Sequence, residues 1–402
     1  MNGTQPKTQE TATQLFARLI SEKRQNTDPK GSTQLDPNLI KLENELMINK
    51  SINFDPAIFL KPISNKEIVE IYGRPNTGKS ELLMHFMARF LLPPKWKIES
   101  TNPNESINNT QAKSDDYIVD LSQYSCLDTE NVELLNPAQL PNLIYINTDS
   151  KFSINRLFKI IEARLNKAYS SYLDQLEQAN KLYQINILKT INVHRSMQKF
   201  ARDCLKNLTV YQCFSNEEFL YSLMGVEHCL QTLIGNKAKI KSVIPIFIDS
   251  INSNFEIFDR YRSQVLAENS YDHTEKFSVQ LVKKLLDKYN VCVVASRCDW
   301  TNSNLDGINN FASNEFAANS YKKWQGLVSK RVEMNRSLHK EVVGSESDET
   351  VKTSVRSCVK LLEILKSNTN VDPKAKVNEE SRVVLDSTPY EIENSGFRLV
   401  FS

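Results

Sequence analysis

The chain has 402 residues, 40% of them apolar, and a net charge of +2, so it can bury a core but carries no global charge field to draw in nucleic acid. No apolar stretch reaches about 18 residues, so no membrane span is expected. Seven cysteines without a C-x-x-C pair, and a start, MNGTQPKTQE, with no apolar run behind basic residues, predict a reducing compartment and no secretory signal.

Taken in chain order, residues 1–50 read as a polar segment with one short amphipathic helix, on which Leu15, Phe16, Leu19 and Ile20 share a face. That helix either docks on its own domain or meets a partner. A core is expected over 51–335. Its first apolar block runs from 67 to 92 and is stopped by Pro93 and Pro94. Residues 97–140 are rich in Asn, Ser, Asp and Thr and read as a disordered insertion. LIYINTD resumes order as a strand, 153–206 reads as helical, and 208–214 as a strand. A helix over 216–234, a buried strand over 242–250, a helix over 277–289 and a buried strand over 291–296 follow. Residues 301–320 read as an Asn-rich loop, and LVSKRVEM as an edge strand. The charged, Ser-rich run 336–380 reads as disordered, and 381–402 alternates like a hairpin that completes the core. Continuous apolar strands alternating with helices predict an α/β fold, a mostly parallel sheet covered on both faces.

One stretch carries chemistry. GRPNTGKS, comprising Gly73, Arg74, Pro75, Asn76, Thr77, Gly78, Lys79 and Ser80, fits G-x-x-x-x-G-K-[ST]. The two glycines permit the bend around an anion, and the loop N–H groups then point inward. The following helix aims its positive end at the same place. Lys79 would reach the β- and γ-phosphates and Ser80 would offer a hydroxyl to Mg²⁺. Ile68, Val69, Ile71 and Tyr72 precede the loop as a strand. Leu82, Leu83, Phe86, Met87, Phe90 and Leu91 follow as a helical core stripe. Asp249, ending VIPIFID, is placed to hold the Mg²⁺ through water.

Taken together, EIVEIYGRPNTGKSELLMHFMARFLLP, LIYINTDSKFSINRL, IPIFIDS and VCVVASRCDW, in this order, resemble the core of the RecA-type recombinases. TQLFARL, TDSKF and YKKWQGLVSKR are similar to segments of the eukaryotic recombinase paralogues. The likeness covers about 180 residues in several blocks. The segments 97–140, 175–206 and 337–380 are unmatched. The resemblance implies a RecA-like P-loop core, ATP and Mg as cofactors, a nuclear location, and other recombinase paralogues as partners in a hetero-oligomer. It also implies single-stranded or branched DNA, met directly or through those partners, during homologous recombination. Two positions depart from the family's pattern. Asp149 stands where active recombinases place a Glu to orient the attacking water, and its carboxylate falls about 1.5 Å short. Arg297 stands where the family has a nucleotide-sensing Gln, and it could sit on a γ-phosphate. ATP is therefore expected to act mainly as a structural ligand with slow hydrolysis, the chain being at most a weak DNA-dependent ATPase.

For direct DNA contact, residues 298–320 contain no Lys or Arg and are expected to contribute nothing. Arg260 and Arg262 read more readily as a solvated face. Over 321–340, Lys322, Lys323, Lys330, Arg331, Arg336 and Lys340 stand against one Glu, with Tyr321 and Trp324 interleaved. That pattern suits either a single-strand contact or a charge-protected edge strand. FDPA, 54–57, has the letters of the family's intersubunit plug but lies so close to the loop that it reads as the entry to the core. With only 72, mostly polar, residues before the loop, no filament-forming helical domain is expected. A P-loop phosphotransferase acting on a small molecule is the alternative from another class.

Overall fold

The computed structural model describes residues 51–98, 117–127, 140–235, 243–252, 270–299, 322–343, 350–365, 380–393 and 396–399. All belong to one compact unit, Asn49–Ser402. The N-terminal helix expected over 11–20, the Arg260 and Arg262 segment and residues 300–321 lie outside the described residues.

A nine-stranded sheet organises the unit. In chain order its strands are β3 (Ile68–Gly73), β6 (Leu143–Asn147), β7 (Leu208–Gln212), β8 (Ile244–Asp249), β9 (Val291–Cys298), β10 (Lys330–Val343), β11 (Thr350–Leu365), β12 (Glu380–Glu393) and β13 (Gly396–Leu399). Across the sheet they run β13-β12-β11-β10-β3-β9-β8-β6-β7. The six strands from β10 to β7 are all parallel, and β11, β12 and β13 add antiparallel. Parallel strands between helical layers are apolar throughout, and all six residues of β8 are buried. Pro245 is tolerated inside this central strand because pairing with β6 begins only at Ile246.

Two apolar layers cover the sheet. One gathers Val69 and Ile71 of β3, Phe247 of β8, and side chains of α1 (Lys79–Leu91), α2 (Ile154–Gln178), α3 (Leu182–Thr190) and α4 (Val193–Leu205). The other gathers Ile68, Ile144, Ile146 and Ile248 against α5 (Asn216–Gly235) and α6 (Ser270–Lys288). Alternate residues of each strand feed opposite layers, as the two-residue period of the pleat requires. Ser153 and Asn192 cap α2 and α4, their side chains accepting from the N–H groups of Arg156 and Arg195.

FDPA does enter the core. Phe54 is fully buried, with ring centroids 5.6 Å from both Phe86 and Phe247. A two-residue ribbon, β1 (Ser51–Ile52) with β2 (Ile63–Ser64), brackets this entry.

Three expectations are corrected. The stretch 97–140 is not wholly a disordered insertion: β4 (Lys95–Ile98) and β5 (Tyr117–Asp120) pair antiparallel, and Trp96 is buried beside Phe200 at 5.7 Å. Polar composition concealed a few apolar anchors, Trp96, Ile98, Val119 and Leu121. Nor is 336–380 disordered throughout, since β10 and β11 form a continuous ladder from Lys330↔Glu363 to Val343↔Thr350. The alternation TVKTSVRSCV carries the strand period under the charges. Finally, β10 is no edge: it lies between β3 and β11, and the sheet ends at β7 and β13. The hairpin expected over 381–402 is present as β12 and β13, with Tyr390 opposite Leu399 and Glu393 opposite Gly396.

Candidate functional site

The loop Gly73–Ser80 joins β3 to α1 at the carboxyl end of the parallel strands. Gly73 passes so close to β10 that a Cβ there would overlap the Met334 carbonyl oxygen. Gly78 has φ +86°, a conformation that L side chains rarely adopt. Asn76 also has positive φ, at 61°. Thr77 ties the loop across itself by donating to the Arg74 carbonyl at 2.9 Å. The Lys79 ammonium donates to the carbonyls of Gly73 at 2.9 Å and Arg74 at 2.6 Å, with the Cys298 sulfur at 3.8 Å. Burial draws the Lys79 pKa down, while Cys298, Asp249 and Asp149 oppose it.

A cleft of about 210 Å³ opens beside the loop. Its walls include Lys79, Ser80, Asp149, Lys151, Asp249 and Cys298. The structure thus brings together the loop, the expected carboxylate at the end of β8 and the expected one just past β6. Asp249 is buried, and that burial pushes its carboxyl up. Hydrogen bonds from Ser296, Ser80 and Tyr145 act the other way, the Tyr145 hydroxyl donating at 3.1 Å. Asp149 is placed by its own N–H, which donates to the Asp249 carbonyl at 3.1 Å. Its carboxylate pairs with the largely exposed Lys151 at 3.0 Å.

These residues fit a nucleotide and Mg²⁺. Ser80 and Asp249 present oxygen donors only, which suits a hard cation. Among the described residues no group of three or more His, Cys, Asp or Glu could hold a metal ion, and Mg²⁺ commonly combines one or two carboxylates with phosphate oxygens. The loop would offer its N–H groups, and Lys79 its charge, to those phosphates.

Arg297 is a correction. It does not line the cleft. On β9 the pleat turns Ser296 and Cys298 toward the cleft and Arg297 to the opposite face. There its guanidinium binds Glu70 through Nε at 2.6 Å and Nη2 at 3.3 Å and lies 4.5 Å from the centre of the Tyr72 ring. Arg331 reaches the same fully buried Glu70 from β10, with Nε at 2.7 Å. Burial and the Asp299 charge raise the Tyr72 pKa to about 12. Glu70 was the missed residue; a Glu inside the apolar run EIVEIY is the signal that a cation must meet it.

Part of the basic segment is corrected too. Lys330 is buried, paired with Glu67 at 3.0 Å, and Arg331 is spent on Glu70. Trp324, in the short helix α7 (Lys322–Gln325), is buried in the second apolar layer rather than offered to a base. Lys323 is exposed. The side chains of Lys322 and Arg336 lie outside the described residues. Sequence inspection also passed over Lys151, although it sits within TDSKF, and over Ser296 and Cys298, which the two-residue period of β9 would have pointed to the cleft.

Among the described residues, no helix is long and apolar enough to cross a membrane. Comparison with protein-family models finds no match to this chain, and a search of curated proteins finds none similar to it.

Proposed function

We propose that this chain is an ATP-binding recombinase paralogue with a RecA-like core. It would act in the nucleus, in a hetero-oligomer of paralogues that assists homologous recombination repair of DNA breaks. The observation that carries its nucleotide-binding part is the meeting of the phosphate loop, Lys79, the Ser80–Asp249 oxygen pair and Asp149 around one cleft, and the paralogue part rests on the sequence blocks that resemble the recombinase core. The strand order, with the loop strand β3 between β9 and β10, is consistent with a RecA-like core.

Bound ATP would be held by the loop N–H groups and Lys79, with Mg²⁺ against Ser80 and Asp249. When bound, they supply a charged phosphate and a metal that order the loop face. Two positions favour holding over hydrolysis. Asp149 is short and engaged by Lys151, and Arg297 is engaged by Glu70. Since Lys330 and Arg331 are both held in ion pairs, DNA is better met through partners than through these two residues.

Equilibrium binding of ATP with Mg²⁺ tests the phosphate site. Lys79→Ala removes a charge-assisted contact and is expected to weaken affinity at least about tenfold while the chain stays folded. Equal affinity in mutant and wild type would overturn the site. Recovery of the tagged chain from its native extract should bring a recombinase paralogue with it, and its recovery without one would overturn the assembly.

A further inference from the structure

The phosphate loop is braced from outside by chain that lies 313 residues away in sequence. The hydroxyl of Tyr390, on β12, donates to the carbonyl oxygen of Thr77, and Tyr390 is 5% exposed. Two residues on, and so on the same strand face, Ile392 covers Gly78. A Cβ at position 78 would lie 2.9 Å from Ile392 Cδ1 and 3.7 Å from Tyr390 Cε2. The hairpin is itself anchored. Tyr390 stacks on Phe397 at 4.8 Å, and Phe397 meets His85 of α1 edge-on at 5.8 Å. Arg156 of α2 grips both carboxylate oxygens of Glu81 at 3.1 and 3.0 Å and donates to the Glu393 carbonyl at 2.9 Å. Lys167 adds an ion pair to the Glu393 carboxylate at 3.0 Å.

The Thr77 carbonyl and the Gly78 N–H belong to one planar trans peptide, so they point in opposite directions. Holding the carbonyl outward on Tyr390 therefore turns the Gly78 N–H toward the cleft, where an anion is cradled by such groups. A loop with two positive-φ residues, Asn76 and Gly78, has more than one accessible arrangement of its peptides, and a fixed acceptor selects one. We propose that Tyr390 is a positioning residue for the phosphate site, orienting the Thr77–Gly78 peptide so that its N–H faces the anion. Docking of the β12–β13 hairpin and phosphate binding then form one coupled equilibrium. Because coupling is reciprocal, a bound nucleotide shifts the hairpin's opening equilibrium toward the docked form by the same factor by which the docked hairpin tightens nucleotide binding.

This deepens the phosphate-site assignment and rests on it for its ligand. The test uses the full chain with two measurements, ATP–Mg²⁺ affinity and amide hydrogen exchange over 73–82 and 380–399. Tyr390→Phe deletes only the hydroxyl. It should speed exchange in the loop without nucleotide present and weaken ATP binding about threefold to tenfold, the worth of one hydrogen bond. In the wild type, ATP should slow exchange over 380–399. Ile392→Ala, at a half-exposed position, should move the same readouts in the same direction and serves if Tyr390→Phe does not fold. Unchanged loop exchange in the variants would overturn the proposal, whatever the chain binds. Faster loop exchange in a chain whose wild type binds no nucleotide would support the bracing and overturn the phosphate-site assignment instead.

Discussion

Acidification should destabilise this protein through a single histidine on the loop helix. His85 is buried in α1, where its Nε2 lies 2.8 Å from Asp55 Oδ2 and its Nδ1 lies 2.9 Å from Arg164 Nη2. Arg164 can only donate, so Nδ1 accepts and Nε2 carries the proton toward Asp55. The ring is neutral as placed. Burial, with the charge of Arg164, pushes the His85 pKa down from 6.5 to about 4, while Asp55 pulls the other way. Burial likewise draws the Arg164 pKa down to about 9. The unfolded chain takes up the His85 proton first, so stability is whole above pH 6.5, falls as the pH drops through 6.5, and stops falling near 4. Lowering the pH from 7 to 5 should remove about 2 kcal/mol of the His85 contribution. Asp55, which burial alone would raise, is carried below its usual value by His85 and Arg89. Its contribution is lost only under more acid conditions. The assay is the urea midpoint at pH 7 and pH 5, for wild type and for His85→Gln. Gln can donate to Asp55 and accept from Arg164 but does not titrate, so its acid loss should be smaller by about that amount. The same loss in both proteins would refute the buried neutral histidine.

Glu70→Gln should cost roughly 3–5 kcal/mol in urea unfolding, because the buried Arg297 and the partly buried Arg331 would both lose their counter-charge; a loss under about 1 kcal/mol would mean that both guanidiniums reach water. Asp149→Glu restores the longer side chain and is expected to raise ATP turnover in single-turnover measurements, since misplacement on this scale can cost about 10²-fold. An unchanged rate would put the limit at the Lys151 pair or at a residue supplied by a neighbouring subunit. Lys330→Ala with Arg331→Ala should lower the unfolding midpoint and leave the salt dependence of any DNA binding unaltered, whereas a slope flatter by about 2 would show both reaching phosphates.

Much of this molecule is legible in its sequence. The loop GRPNTGKS, its strand and its helix are local: spacing, glycine placement and a helical apolar stripe lie within one short stretch, so sequence suffices. The same holds for Asp249, at the end of an apolar run, and for the C-terminal hairpin, whose strands are neighbours in the chain. Composition misled at 97–140 and 336–380, where charge and serine outweighed a two-residue alternation that was there to be counted. What sequence could not decide was which distant groups meet. Arg297 was assigned by its position along β9, but the side of the sheet that it faces follows from the pleat and from Glu70, two strand positions inside β3. Lys330 and Arg331 read as an exposed basic patch in the sequence, but β10 lies between β3 and β11, where Lys330 is itself buried on Glu67 and Arg331 meets the buried Glu70. Tyr390 and Thr77 have no signature in common. Only the tertiary fold brings them together, because a hydrogen bond depends on atoms a few ångströms apart in space, and chain separation carries no information about that.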